Sequence, residues 1–153
     1  MDNYEICEET LAILPMNNYK SKIIERDREI VINKTPYEII DNSCQYFGSS
    51  FSGRVIGTKK LIGVTHKAPV IIEESREIIF FPTNSPKRYE CCWVSLNNIS
   101  KYYKETNKGV ILFDSGYLLN LAISYGSLDN QILRAARLES ELRKRKSKKR
   151  LQA

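Results

Sequence analysis

The chain has 153 residues, 42% of them apolar, and a formal net charge of +6. That fits one domain with a core, and the lack of any run of about eighteen apolar residues excludes a transmembrane helix. The charge is uneven: Arg143–Arg150, "RKRKSKKR", holds seven positive charges, and taking these from +6 leaves the rest at −1.

The first residues, "MDNYEICEET", are acidic and carry no apolar signal core, so a cytoplasmic protein is expected. "YEICEETLAILP" and "SKIIERDREIVIN" each alternate around a polar turn and predict two hairpins. "TPYEIIDNSCQYFG" predicts a helix. Thr35 is the cap, Pro36 the first helical residue, and Glu38 completes a capping box. Tyr37, Ile40, Cys44 and Phe47 share one face, and Gly48 supplies a left-handed stop. Ser49–Arg54 then reads as a small-residue corner with one fixed positive charge.

"HKAPVIIEESREIIFFPTNSP" holds two apolar runs around a charged turn, with Pro69 and Pro82 at the outer ends. "CCWVSLNNISKYYKE" and "GVILFDSGYLLNLAI" follow, the second with Asp114-Ser115-Gly116 as a hairpin turn. From Ser124 the period becomes helical. Leu128, Ile132, Ala135 and Leu142 fall near one face, with Ser124 or Ser127 as cap, and the apolar face fades after Leu142. The sum is an α+β domain: an antiparallel sheet of hairpins, one central helix and a C-terminal basic helix. Residues 1–142 are expected to form the domain and residues 143–153 a basic tail. A tail of this kind suits a polyanion, and its plainer reading is a solvated helix end.

Catalytic patterns fail on inspection. "GSSFSGRV" has the two-glycine spacing of a phosphate loop but carries Arg54 and Val55 where Lys and Ser/Thr belong. Around Ser50 a nucleophile turn lacks its last glycine, since Ser52 stands there. The four cysteines form no CxxC pair and His66 is the one histidine, so neither a metal nor another cofactor is expected. Glu73, Glu74 and Glu77 read as solvated turn charges.

Cations and amides gather in predicted loops instead: Arg54, Lys59, Lys60, Lys67, Lys87, Arg88, Asn97 and Asn98. Lysine and arginine neutralise phosphates, and asparagine bonds phosphates or base edges. A second reading of Arg54 is a structural partner of the helix end.

"SCQYFGSSFSGR", "GVTHKAPVII", "FFPTNSP", "CWVS" and "ISYGSLDNQILRA" occur in this order, and together they resemble the ComK family of competence transcription factors. The resemblance covers roughly Ser21 to Arg137. It implies a cytoplasmic activator of DNA-uptake genes that binds double-stranded, AT-rich sites largely through the minor groove. It also implies a homo-oligomer and regulated proteolysis through an adaptor and a Clp-type protease. Longer family members continue past the last motif with a further segment, where this chain has "RKRKSKKRLQA". Activation, oligomer assembly and adaptor docking by that segment are therefore not carried over by the motifs. "CWVSLNNISKYYKE" to "GVILFDSGYLLNLAI", followed by a helix, is also similar to the end of LytTR-type response-regulator domains, which implies DNA reading by strand loops.

The expected contacts are thus Arg54, Lys59, Lys60, Lys67, Lys87 and Arg88 on phosphate or minor groove, with Asn97 and Asn98 near bases. Arg143, Lys144, Arg145 and Lys146 add non-specific attraction. Two other readings stand beside this one: an interaction module that pairs with a full-length relative or its adaptor, and an enzyme built on the serine-rich turn.

Overall fold

The computed structural model describes residues 2–152, with side chains as far as Lys149; the side chains of the last tail residues lie outside it. Three strands open the chain: β1 (Thr10–Asn17), β2 (Lys20–Glu25) and β3 (Glu29–Ile32). Two helices follow, α1 (Pro36–Tyr46) and α2 (Phe51–Ile62). Next come β4 (Val70–Glu73), β5 (Ile78–Pro82) and β6 (Trp93–Ser95), then β7 (Ile99–Glu105), β8 (Lys108–Phe113) and β9 (Leu118–Ser124). A long helix, α3 (Tyr125–Gln152), ends the chain. The strands form an antiparallel six-stranded sheet in the order β3-β2-β1-β6-β5-β4 and a three-stranded sheet in the order β7-β8-β9.

The period-two pleat of the large sheet divides the core in two. Ile13, Ile23, Val70, Phe80 and Trp93 face α1, where Ile39, Ile40 and Cys44 meet them. The neighbours Ala12, Ile24, Ile71, Ile79, Phe81 and Val94 face the other way. There they meet Ile111, Phe113 and Leu119 of the small sheet and Leu128, Ile132, Ala135 and Leu138 of α3. Each fully buried side chain of this size contributes about 1.5–3 kcal/mol, so both faces hold the sheet in place.

The α+β class, the capped helix at Thr35, the Asp114–Gly116 turn and the C-terminal helix agree with the sequence. Thr35 and Glu38 form the reciprocal box, and Ser124 Oγ accepts from Ser127 N at 3.2 Å. Three expectations need correction. Residues 4–9 form no strand; the first hairpin is β1–β2, turning at Asn18 and Tyr19. The buried face of α1 is Ile39, Ile40, Ser43 and Cys44, while Tyr37 and Phe47 lie only partly buried at its margin. Most substantially, the corner at Ser49–Arg54 is the start of a second helix. Ser50 Oγ accepts from Gly53 N at 3.0 Å, and Asp41 Oδ1 of α1 accepts from Phe51 N at 2.8 Å. Gly53 and Gly57 inside α2 lower its intrinsic helicity, which hid it in the sequence. A Cβ at Gly53 would lie 2.8 Å from Ser49 Oγ, so a larger residue there would have to displace that hydroxyl.

Helix α3 passes Leu142, the last buried apolar residue among those with described side chains, without a break. No helix among the described residues is long and apolar enough to cross a membrane.

Candidate nucleic-acid interface

The cations and amides expected to act together separate into three places, with Lys59 and Lys60 apart from them on α2. The first is a pair of adjoining depressions that share Pro86 and Lys87. One is lined by β1, the start of α1 and the Pro86–Tyr89 loop, and Lys87 and Arg88 are its cations. The other lies between Phe51 and Val55 of α2 and the Thr65–Ala68 loop, with Lys67 and His66 on its wall. Neither is lined by a carboxylate. Glu90 holds Arg88 Nε at 2.7 Å, leaving the terminal guanidinium nitrogens without a partner among the described residues. Lys87 Nζ lies 5.4 Å from the centroid of the Tyr37 ring.

Local structure holds Lys67 in position. Its φ of 50° is unusual for a residue with a side chain, and two bonds from α3 stabilise the bend. Gln131 Nε2 donates to the carbonyls of Lys67 at 2.8 Å and Pro82 at 2.7 Å. Arg134 Nη1 donates to the His66 carbonyl at 3.1 Å. Gln131 is buried, so an unmet amide there would cost about 1–3 kcal/mol. Sequence reading missed Gln131, although a glutamine beside Leu128 and Ile132 on an apolar helical stripe is a detectable signal. Tyr37, Tyr89 and Asn17, which also line the first depression, went unremarked as site residues.

The second place is the β4–β5 turn. Arg54 is there only 15% exposed, with Nη1 on Glu74 at 3.2 Å. Arg143 Nε donates to both oxygens of Glu77 at 3.0 and 3.2 Å, and Lys146 Nζ donates to the Glu74 carbonyl at 2.7 Å. The turn acids are therefore ion-pair partners of distant cations, beyond the solvated charges expected. Glu73 is held below the usual carboxylate range: burial pushes it up, but bonds from Ser75 and Arg76 outweigh that. Lys144 pairs with Glu141 at 3.4 Å, while Arg145 is exposed with no such partner among the described residues.

The third place lies between β6 and β7. Asn97 is exposed but used at both ends: Oδ1 accepts from Ile79 N at 3.3 Å and Nδ2 donates to Glu139 at 2.8 Å. Asn98 is 4% exposed; Nδ2 donates to Glu8 O, Thr10 O and Ser95 Oγ, and Oδ1 accepts from Arg26. The amide expected near bases thus serves the interior, because a buried amide must satisfy its own polar atoms. Lys59 and Lys60 are exposed but sit in the last turn of α2, not in a loop. The serine of the rejected nucleophile pattern, Ser50, is a helix cap.

Residues 1–147 match the family described as ComK protein. The chain belongs to the ComK family. Membership extends beyond the span of the five motifs at both ends, into the basic part of α3. The chain is 36% identical over 149 residues to the competence transcription factor of Bacillus subtilis (strain 168), covering 95% of this chain and 78% of that protein. No solved structure matches.

Proposed function

We propose that this chain is a transcription regulator of competence that binds double-stranded DNA. Family membership supports the regulator class, as the relative named above is a competence transcription factor. The observation that carries DNA contact is the pair of adjoining depressions, lined by no carboxylate, that bear Lys87 and Arg88 on one and Lys67 and Lys87 on the other. Lysine and arginine held there neutralise phosphates and fix the register of the protein on a duplex. Lys59 and Lys60 add exposed charge nearby in the chain. Arg145, with the free part of the tail, adds sequence-independent attraction beyond the body that ends at Leu142. Arg54, Arg143, Lys146, Asn97 and Asn98 act instead on the fold, through the partners given above.

The finer reading follows the family. The protein is an activator of DNA-uptake genes, works as a homo-oligomer in the cytoplasm, and reads AT-rich sites largely through the minor groove. Its level is set by an adaptor and a Clp-type protease. A narrow, electronegative AT minor groove attracts arginine and lysine, so the unpartnered end of Arg88 suits it. Gel shifts on matched AT-rich and GC-rich duplexes test this. Preference for the AT-rich duplex, lost when Arg88 and Lys87 become alanine, is expected; equal binding of both duplexes by the unaltered protein would overturn it.

A further inference from the structure

The first depression differs in character from a duplex contact. It encloses about 280 Å³, near the lower end of small-ligand sites at about 300 Å³. Tyr37 and Tyr89 supply aromatic wall. Tyr89 is 54% exposed, and its hydroxyl donates to the Met16 carbonyl at 3.3 Å, which fixes the ring against β1. The polar groups are mostly donors. Asn17 Oδ1 already accepts from Tyr19 N at 2.9 Å, so its amide nitrogen is what remains to offer. Lys87 and the terminal nitrogens of Arg88 complete the set; no carboxylate lines the depression, and Glu90, outside it, engages only Arg88 Nε.

Aromatic walls, several donors, the charge of Lys87, unpaired among the described residues, and the terminal nitrogens of Arg88 left open by Glu90 select a flat, acceptor-rich, anionic ligand. A nucleotide has that chemistry. In a duplex the base faces are hidden in the stack, so these rings are of little use to paired DNA; a single strand exposes them. We propose that this depression takes one unpaired nucleotide of a single strand, its base against the tyrosine wall and its phosphate on Lys87 and Arg88. A strand fits better than a free nucleotide because the adjoining depression, which shares Pro86 and Lys87, carries Lys67 for the next phosphate. The inference rests on the nucleic-acid reading above but asks for a different form of the polymer.

The test is fluorescence anisotropy with a labelled thymidine oligomer and a labelled duplex, with thymidine monophosphate and polyglutamate as competitors. Tyr89→Ala is expected to weaken the oligomer by about tenfold, within the range of one stacked base, and to weaken the duplex by much less. Tyr89→Phe keeps the oligomer affinity. Equal loss on both polymers, no loss on either, or displacement of the oligomer by the monophosphate or polyglutamate as readily as by unlabelled oligomer would overturn the inference. Oligomer binding that follows Tyr89 in a protein with no duplex affinity would remove the duplex reading and leave this one. Duplex binding with an oligomer indifferent to Tyr89 would do the reverse.

Discussion

Asn98 shares the two hydrogens of its amide nitrogen among three acceptors on two segments, the Thr10 carbonyl at 3.4 Å being the longest contact, and so ties the start of β1 to the β6–β7 turn. Asn98→Ala leaves the Glu8 and Thr10 carbonyls and Ser95 Oγ short of a donor in a buried place. The expected cost is about 2–3 kcal/mol, read as a lower urea midpoint with an unchanged slope. Glu77 is the other residue whose partners define its role. It holds Arg143 and Lys146 against the body, so Glu77→Gln frees positive charge on α3. Duplex affinity at low salt should rise a fewfold and its salt dependence should steepen by about one cation; a titration over salt checks both. Burial pushes the Cys44 thiol up to about 12, and the side chain is fully buried, so little reactive thiolate is present at pH 8. Cys44 should stay unlabelled by thiol reagents until the protein unfolds.

At the scale of elements, α3 sets the arrangement. Its inner face carries the core of the small sheet, and its Gln131 and Arg134 fix the Lys67 loop. Packing between α3 and β8 is close enough that a Cβ on Gly109 would lie 2.6 Å from Leu128 Cδ2 and 3.0 Å from its Cβ. Gly109→Ala should therefore destabilise by about 1–3 kcal/mol, as overpacking does, seen as a lower thermal midpoint. Elements whose signals are local were legible in the sequence: the box at Thr35 for α1, the Asp114–Gly116 turn, and the apolar stripe of α3. Helix α2 was not, since two glycines mask its propensity while a carboxylate from α1 and a serine cap sustain its start. Pairs such as Arg54 with Glu74 and Arg143 with Glu77 lie 20 and 66 residues apart, so no window on the sequence distinguishes them from free cations. The loops bearing Lys67, Lys87 and Arg88 were legible as cationic; their convergence was not, because it depends on how the sheet and α3 bring them together.

For the whole molecule, the question is whether affinity for DNA resides in the folded groove or in the tail. Net charge alone points to the tail, yet Arg143, Lys144 and Lys146 are engaged with protein acids and carbonyls. The two depressions carry Lys67, Lys87 and Arg88 on walls with no lining carboxylate, and Glu90 engages only Arg88 Nε, which gives position as well as attraction. The direct measurement is the salt dependence of duplex binding in three proteins: the unaltered chain, a Lys67→Ala/Lys87→Ala/Arg88→Ala variant, and an Arg145→Gln/Lys148→Gln/Lys149→Gln variant. Each phosphate that is no longer neutralised takes about 0.9 off the log–log slope. The groove variant should lose about two to three units of slope and its preference for AT-rich DNA, while the tail variant loses affinity for both duplexes and keeps the preference. An unchanged slope and preference in the groove variant, with both abolished in the tail variant, would contradict the account.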